Sequence, residues 1–294
     1  MRPVHELSVT EAREAELSEL PAAPAEPVAE VIERRLPSLA HEIPVRFYLP
    51  QGGSLPVLVY FFGGGWVLGS LEAADPVCRR LANATPCAVA SVAYRRAPEN
   101  PFPAGLEDCY AATRWLAAHG DELGFDSSRL AVGGASSGGN LAAAVTQLAR
   151  ERGGPQIVFQ LLVYPPLDRR AATPSMREPR ERPFFGPEDL AWCWSHYLGD
   201  PAHEENPLAS PLRARDLRGL PAALVITAEL DPVRDEAELY AARLGEAGVP
   251  TELVRFEGVL HGFFSQSSRL AAAAEAQALA ASALRRAFSA GTSL

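Results

Sequence analysis

Apolar and polar positions along the chain fall into two repeating patterns. Seven short runs, IPVRFYLP, PVLVYFF, CAVASVA, RLAVGGA, IVFQLLVYP, AALVITA and TELVRFEG, are rich in apolar residues, and several are continuous rather than alternating. Continuous runs of strand length suit parallel strands buried on both faces. Stretches with helical spacing lie between most of them. PAGLEDCYAATRWLAAHG puts Leu106, Cys109, Tyr110, Thr113 and Leu116 on one face, and SGGNLAAAVTQLARERGG runs until its glycines stop it. Strands alternating with helices predict an α/β fold: a mostly parallel central sheet flanked by helices.

Two regions break this rhythm. Residues 1–40 read as a polar helix, an Ala/Pro-rich break (PAAPAEP) and a second short helix ending near Leu36. Residues 168–220 carry no clear strand, much Pro and Arg, and an aromatic-rich helix, PEDLAWCWSHYLGD. The predicted division is therefore N-terminal cap helices over 1–40 and a core over 41–294, with a cap insertion over about 168–207. Together the two caps would form a lid above the carboxyl ends of the strands, where open α/β sheets bind ligands. The Ala-rich AAAAEAQALAASALRRAF reads as a terminal packing helix.

Composition narrows the partners. The 294 residues are 47% apolar, enough for a full core, and 27 basic against 36 acidic residues give a net charge of −9. That balance disfavours nucleic acid and anionic membranes, leaving a small molecule or another protein as partner. No uncharged apolar run approaches the ~20 residues that span a bilayer. Cys78, Cys87, Cys109 and Cys193 form no CxxC pair and no cluster with histidine, so free thiols in a cytoplasmic protein without a metal are expected. A homodimer is compatible with the chain.

The candidate chemistry sits at the ends of the runs. GASSG follows RLAVGGA and opens a helix, fitting G-x-S-x-G with Ser136 at the centre. A nucleophile on a sharp strand-to-helix turn needs a strained backbone and no side chains two residues to either side, which Gly134 and Gly138 supply. Ser137 is the nucleophile in the neighbouring register, but Ala135 would then stand where Gly134 serves. Of six histidines, only His261 lies on a short loop after a strand that can reach the same sheet edge. Asp231 ends AALVITAEL, with Pro232 blocking further strand, and would fix the imidazole tautomer and stabilise the imidazolium. Glu229 is a weaker substitute, and Asp235 falls on the solvated face of the next helix. Ser136, Asp231, His261 is the order expected of α/β-hydrolases. The turn FFGGGW then finds a use. A tetrahedral oxyanion needs N–H donors about 3 Å away, and glycines let backbone approach that closely. Gly64, Gly65 and the Ser137 N–H are the candidate donors.

With these motifs in place, the chain resembles the hormone-sensitive lipase family of carboxylesterases. YRRAPENPFPAGLEDCYAATRWL, GGNLAAA, NPLASPL, LPAALVITAELDPVRDEAELYAARLGEAGV and HGFF extend the likeness from about Ile43 to the C-terminal helix. The resemblance implies a serine hydrolase that cleaves an ester, lactone or thioester through an acyl-enzyme, without metal or cofactor. The cap aromatics Phe184, Phe185, Trp192, Trp194 and Tyr197 suggest an apolar acyl substrate, although helical spacing of aromatics also suits a core.

The chain departs from the family pattern at three places. Phe62 replaces the histidine of HGGG. Ala135 and Ser137 replace the aspartate and alanine of GDSAG. Ala93, Arg96 and Asn100 stand in three positions of DYRLAPEHPFPA. Phe62 cannot hydrogen-bond, so packing under Trp66 is the expected substitute tether. A looser turn would predict low activity on simple esters and a gain in kcat for Phe62→His. A drier site would also favour an alcohol or the substrate's own hydroxyl over water, making an acyltransferase or cyclase the alternative. A non-catalytic small-molecule-binding relative is the other.

Overall fold

The computed structural model describes residues 2–18, 26–38, 41–178 and 185–290. Eight strands are β1 (Glu30–Pro37), β2 (Glu42–Leu49), β3 (Leu55–Phe61), β4 (Ala88–Val92), β5 (Phe125–Ala135), β6 (Phe159–Val163), β7 (Ala222–Leu230) and β8 (Thr251–Leu260). They form one sheet in the order β1-β2-β4-β3-β5-β6-β7-β8. β1 and β2 pair antiparallel, as do β2 and β4, and every other pair is parallel. Every residue of β3, β4 and β6 is buried, so both faces of the sheet's centre are covered, as their continuous apolar sequences require.

The covering helices are α1 (Val9–Ser18), α2 (Leu71–Ala84), α3 (Ala104–His119), α4 (Ser137–Glu151), α5 (Pro174–Arg177), α6 (Pro187–Leu198), α7 (Arg234–Glu246) and α8 (Ala271–Ala290). α2 packs on α8, and α3 on α4. The Ala-rich tail is thus a packing helix, burying Ala273, Ala276, Ala280, Leu284 and Phe288. Residues 168–220 contain α5, α6 and short 3-10 turns but no strand among the described residues.

One element is not what the sequence suggested. The second N-terminal helix is strand β1, paired with β2 in the register Ile32↔Phe47, Glu33↔Arg46 and Leu36↔Ile43. Ile32 and Leu36 are four residues apart, a spacing that shares a face in a helix and equally in a strand. Backbone pairing at the sheet edge decides between them, and the Glu33–Arg46 hydrogen bond of 2.9 Å crosses the pair. Most of the PAAPAEP break lies outside the described residues, as does Phe184.

Candidate active site

Three strand ends bring the candidate residues together. β5 ends at Ala135, and Ser136 turns the chain into α4 with φ 54° and ψ −124°, a left-handed region that a side chain disfavours by roughly 1–3 kcal/mol. The turn is held by its surroundings: Ser136 N–H donates to Val163 O at 2.8 Å, and Asn140 N–H to Ser136 O at 3.0 Å. The glycines beside it are required by space. A Cβ at Gly138 would lie 1.9 Å from the Phe61 carbonyl oxygen, and one at Gly134 would lie 2.4 Å from that oxygen and from Gly138 C. The start of α4 is therefore wedged against the end of β3.

Asp231 follows β7 and is fully buried. Its Oδ1 accepts from Val233 N–H at 3.0 Å and its Oδ2 meets His261 Nδ1 at 2.7 Å. His261 follows β8, and its Nε2 meets Ser136 Oγ at 2.8 Å. An ionised carboxylate only accepts, so Nδ1 carries the ring proton and Nε2 is left to accept the Ser136 hydroxyl. Ser137 is buried and forms no such contact, which places the Gly134–Gly138 register at the site. Glu229 instead accepts from Gly258 N–H at 2.7 Å. Asp235 lies in α7, but its solvated face is half-buried: it accepts from Ser175 N–H at 2.7 Å and from Arg234 at 2.8 Å.

The glycine turn comes up against the serine. A Cβ on Gly63 would sit 2.8 Å from Ala135 O and 3.4 Å from Ser136 Cβ. Gly64 and Gly65 have φ of +124° and +59°, and Trp66, at φ 60°, completes the reversal. Among the described residues, no protein acceptor takes the N–H of Gly64, Gly65 or Ser137. Those three donors are free for a ligand oxygen.

Phe62 does not pack under Trp66. Its ring stacks on Tyr94 at 4.4 Å and 23°, and the Tyr94 hydroxyl donates to Phe62 O at 2.9 Å. Trp66 belongs to a different cluster, lying parallel on Tyr197 at 4.2 Å and tilted against Trp194 at 4.4 Å. Helix α6 thus packs directly on the turn, and Cys193 fills the space beside Gly65, where an added Cβ would meet its Sγ at 2.2 Å. Burial pushes the Cys193 thiol up to about 12, so it stays protonated there.

Several contributors carry no motif. Tyr164, held at φ 36°, lies 4.7 Å from the His261 ring, and Phe185 stacks on that ring at 4.6 Å and 21°. Glu236 is fully buried, and burial raises its carboxyl well above the usual range, while it accepts from Asp168 N–H at 2.7 Å. Of the aromatics in the 168–207 segment, Trp194 and Tyr197 are core, whereas Phe185 and Trp192 are only half-buried. No group of three or more potential metal ligands occurs among the described residues.

Comparison with known proteins agrees with this fold. A family model described as alpha/beta hydrolase fold matches residues 58–265. The carboxylesterase NlhH of Mycobacterium tuberculosis is 44% identical over 253 residues, covering 84% of this chain and 79% of that protein. An arylesterase of Saccharolobus solfataricus is 40% identical over 240 residues, 80% of this chain and 78% of that protein. Among solved structures, a thermophilic, thermostable carboxylesterase cloned from a metagenomic library superposes with a TM-score of 0.93 at 42% identity, covering 96% of this chain and 98% of that one. No helix among the described residues is long and apolar enough to cross a membrane. With its sheet order, its serine turn and these relatives, the chain belongs to the hormone-sensitive lipase family of carboxylesterases within the α/β-hydrolase fold.

Proposed function

We propose that this protein hydrolyses carboxylic esters of apolar acids through an acyl-enzyme on Ser136. The observation that carries the reading is the unbroken chain Ser136 Oγ, His261 Nε2, His261 Nδ1, Asp231 Oδ2, with contacts of 2.8 and 2.7 Å. In it, His261 takes the Ser136 proton as Oγ adds to the ester carbonyl, and Asp231 stabilises the imidazolium. The N–H groups of Gly64, Gly65 and Ser137 receive the oxyanion. His261 then protonates the departing alcohol. In the second half, water adds to the acyl carbon, giving its proton to His261, and the acid leaves as Ser136 regains its hydrogen.

Phe185 stacks on the imidazole and Tyr164 lies tilted beside it, which supports an apolar acyl or alcohol group there. The half-buried Phe185 belongs to the insertion, which supports its role as part of a lid. Four buried, unpaired cysteines suit a reducing compartment such as the cytoplasm.

The test is direct. A fluorophosphonate probe should label Ser136 alone, and Ser136→Ala or His261→Ala should lower kcat on a p-nitrophenyl ester by about 10⁴-fold or more, because such residues act as a unit. Labelling on Ser137, or turnover surviving Ser136→Ala, would overturn the assignment.

A further inference from the structure

Two residues at which the chain departs from its family surround one peptide of the glycine turn, together with a carboxylate from the N-terminal helix. Gly69 ends the loop that begins at Phe62. Its backbone, at φ +85°, lies directly on the turn: an added Cβ would fall 2.0 Å from the Gly63 carbonyl oxygen and 2.7 Å from the Phe62 ring. Both sides of Gly69 are held by charge. Its N–H donates to the two carboxylate oxygens of Glu16, each at 2.9 Å, and its carbonyl accepts from Arg96 Nη1 at 2.7 Å. Arg96 is steadied in turn by Asn100, which donates from its backbone at 3.0 Å and its side chain at 3.4 Å to the Arg96 carbonyl. One turn earlier on α1, Arg13 donates to Val67 O at 3.0 Å and Ala97 O at 2.9 Å, and pairs with Glu99 at 2.7 Å.

We propose that Glu16 and Arg96 are positioning residues that clamp the Gly69 peptide and thereby aim the Gly64 and Gly65 N–H groups at the reacting carbonyl. Phe62 cannot hydrogen-bond through its side chain. The Tyr94 hydroxyl holds the Phe62 carbonyl at one end of the turn. On the returning arm Arg13 holds the Val67 carbonyl, and Val67 and Leu68 N–H donate to Gly64 O. It is the Gly69 peptide that Glu16 and Arg96 add to these tethered points. Hydrogen bonds with an ionised partner are the stronger kind, and here one N–H is shared between both Glu16 oxygens. Glu16 is half-buried, and desolvation raises its pKa against the opposing pull of the Gly69 N–H hydrogen bond and then of the Arg96 and Arg13 charges. A half-buried carboxylate with both oxygens turned onto one peptide N–H is built in, not incidental.

The proposal rests on Ser136 as nucleophile and on the glycine N–H groups as oxyanion donors. Losing a whole donor lowers rate by about 10²–10³-fold, so a donor that is merely less well aimed should lower it by about 10- to 100-fold. Glu16→Ala and Arg96→Leu should each lower kcat on a p-nitrophenyl ester by that amount, with KM within about threefold, because only the transition state carries the oxyanion. Glu16→Gln and Arg96→Lys, which keep an acceptor and a donor, should recover most of the loss. The double variant Glu16→Ala/Arg96→Leu should be little worse than either single variant, since both act on one peptide.

Arg96→Leu restores the side chain usual for the family at a half-buried position, so it remains informative should Glu16→Ala fail to fold. Unchanged kcat in Arg96→Leu, an effect confined to KM, or Glu16→Gln as poor as Glu16→Ala would each overturn the clamp. Fluorophosphonate labelling of Ser136 and inactivity of Ser136→Ala separate the two levels. Turnover without Ser136 removes the underlying reading, whereas Ser136-dependent turnover that ignores Glu16 and Arg96 removes the clamp alone.

Discussion

The serine half of the site and the glycine-turn half are built from different materials. Around Ser136 the constraints are backbone against backbone, as with Gly134 and Gly138 against the Phe61 carbonyl. Around the turn they are mostly side chains brought from elsewhere. Gly65 rests on Cys193 of α6, Phe62 on Tyr94, Trp66 on Tyr197, and Gly69 is gripped by Glu16 and Arg96. Backbone also meets backbone within the turn, with Gly63 against Ala135 O, Gly64 against Leu68 and Gly69, and Gly69 against Gly63 O, so what distinguishes this half is the set of side chains added around it. A half made of backbone admits one local solution. A half made of side chains can change its parts, provided the partners change together.

The largest effects should separate the halves. Gly138→Ala would drive its methyl into the Phe61 carbonyl, with no flexible group to give way. We expect loss of soluble protein or of all measurable turnover, and no trimming of a neighbouring side chain should restore either. Gly65→Ala strains a φ of +59° and meets Cys193, so kcat should fall by about 10²–10³-fold, as when a donor is misplaced. Here Cys193→Ala removes the Sγ that lies nearest, and the double variant should regain part of that loss. If Gly65→Ala and Gly65→Ala/Cys193→Ala have equal kcat, the turn is as inflexible as the elbow and the contrast fails.

Phe62 gives a finer test. The sequence suggested a loose turn that Phe62→His would tighten. In the folded protein the ring is buried, stacked on Tyr94, and its carbonyl is already satisfied by the Tyr94 hydroxyl. An imidazole in that slot would leave ring nitrogens buried without an evident partner, at about 1–3 kcal/mol. We therefore expect Phe62→His to lower the melting temperature and leave kcat unchanged or reduced. Tyr94→Phe, which keeps the stack and removes the hydroxyl, should lower kcat by about tenfold, a fraction of a donor's worth. A rise in kcat for Phe62→His would mean that the turn is short of a polar tether after all.

This difference also explains what could be read from the chain. Seven strands were legible because apolar continuity is a local signal, and the serine turn was legible because its glycines and nucleophile fall within five residues. Asp231 and His261 could be placed because each directly follows a strand. β1 was misread because Ile32 and Leu36 suit either periodicity and only pairing with β2 decides. Arg96 and Asn100 stood out only as departures. Their use depends on Gly69, 27 residues before Arg96, and on Glu16, 53 residues before Gly69. Tyr164 and Phe185 reach His261 from other segments altogether. No spacing rule in the sequence encodes those meetings.

The smallest expected effect asks how far the side-chain half extends. The segment that carries Glu16 to Gly69 is fastened at its other end to α6, where His5 Nδ1 meets Asp189 Oδ1 at 2.7 Å and His5 N–H donates to the same oxygen at 3.2 Å. Asp189 Oδ2 is already engaged by Gly186 N–H at 2.9 Å, at the start of α6. The hydrogen bond to Asp189 raises the His5 pKa above its ordinary 6.5, with the Asp189, Glu6 and Glu188 charges adding to it and partial desolvation opposing it. A raised folded-state value means that the folded protein holds the proton more tightly than the unfolded chain. The contact's contribution is therefore full below about pH 6.5 and is lost as pH rises through the folded value. Melting curves of wild type and His5→Ala should differ most at about pH 5.5 and converge at about pH 9, with the difference small because the imidazole is partly exposed. If this tether also steadies the clamp, the ratio of wild-type to His5→Ala kcat should follow the same pH course. A ratio flat in pH, beside a melting difference that is not, would end the side-chain half at Glu16 and make His5 a fastening of α6 alone.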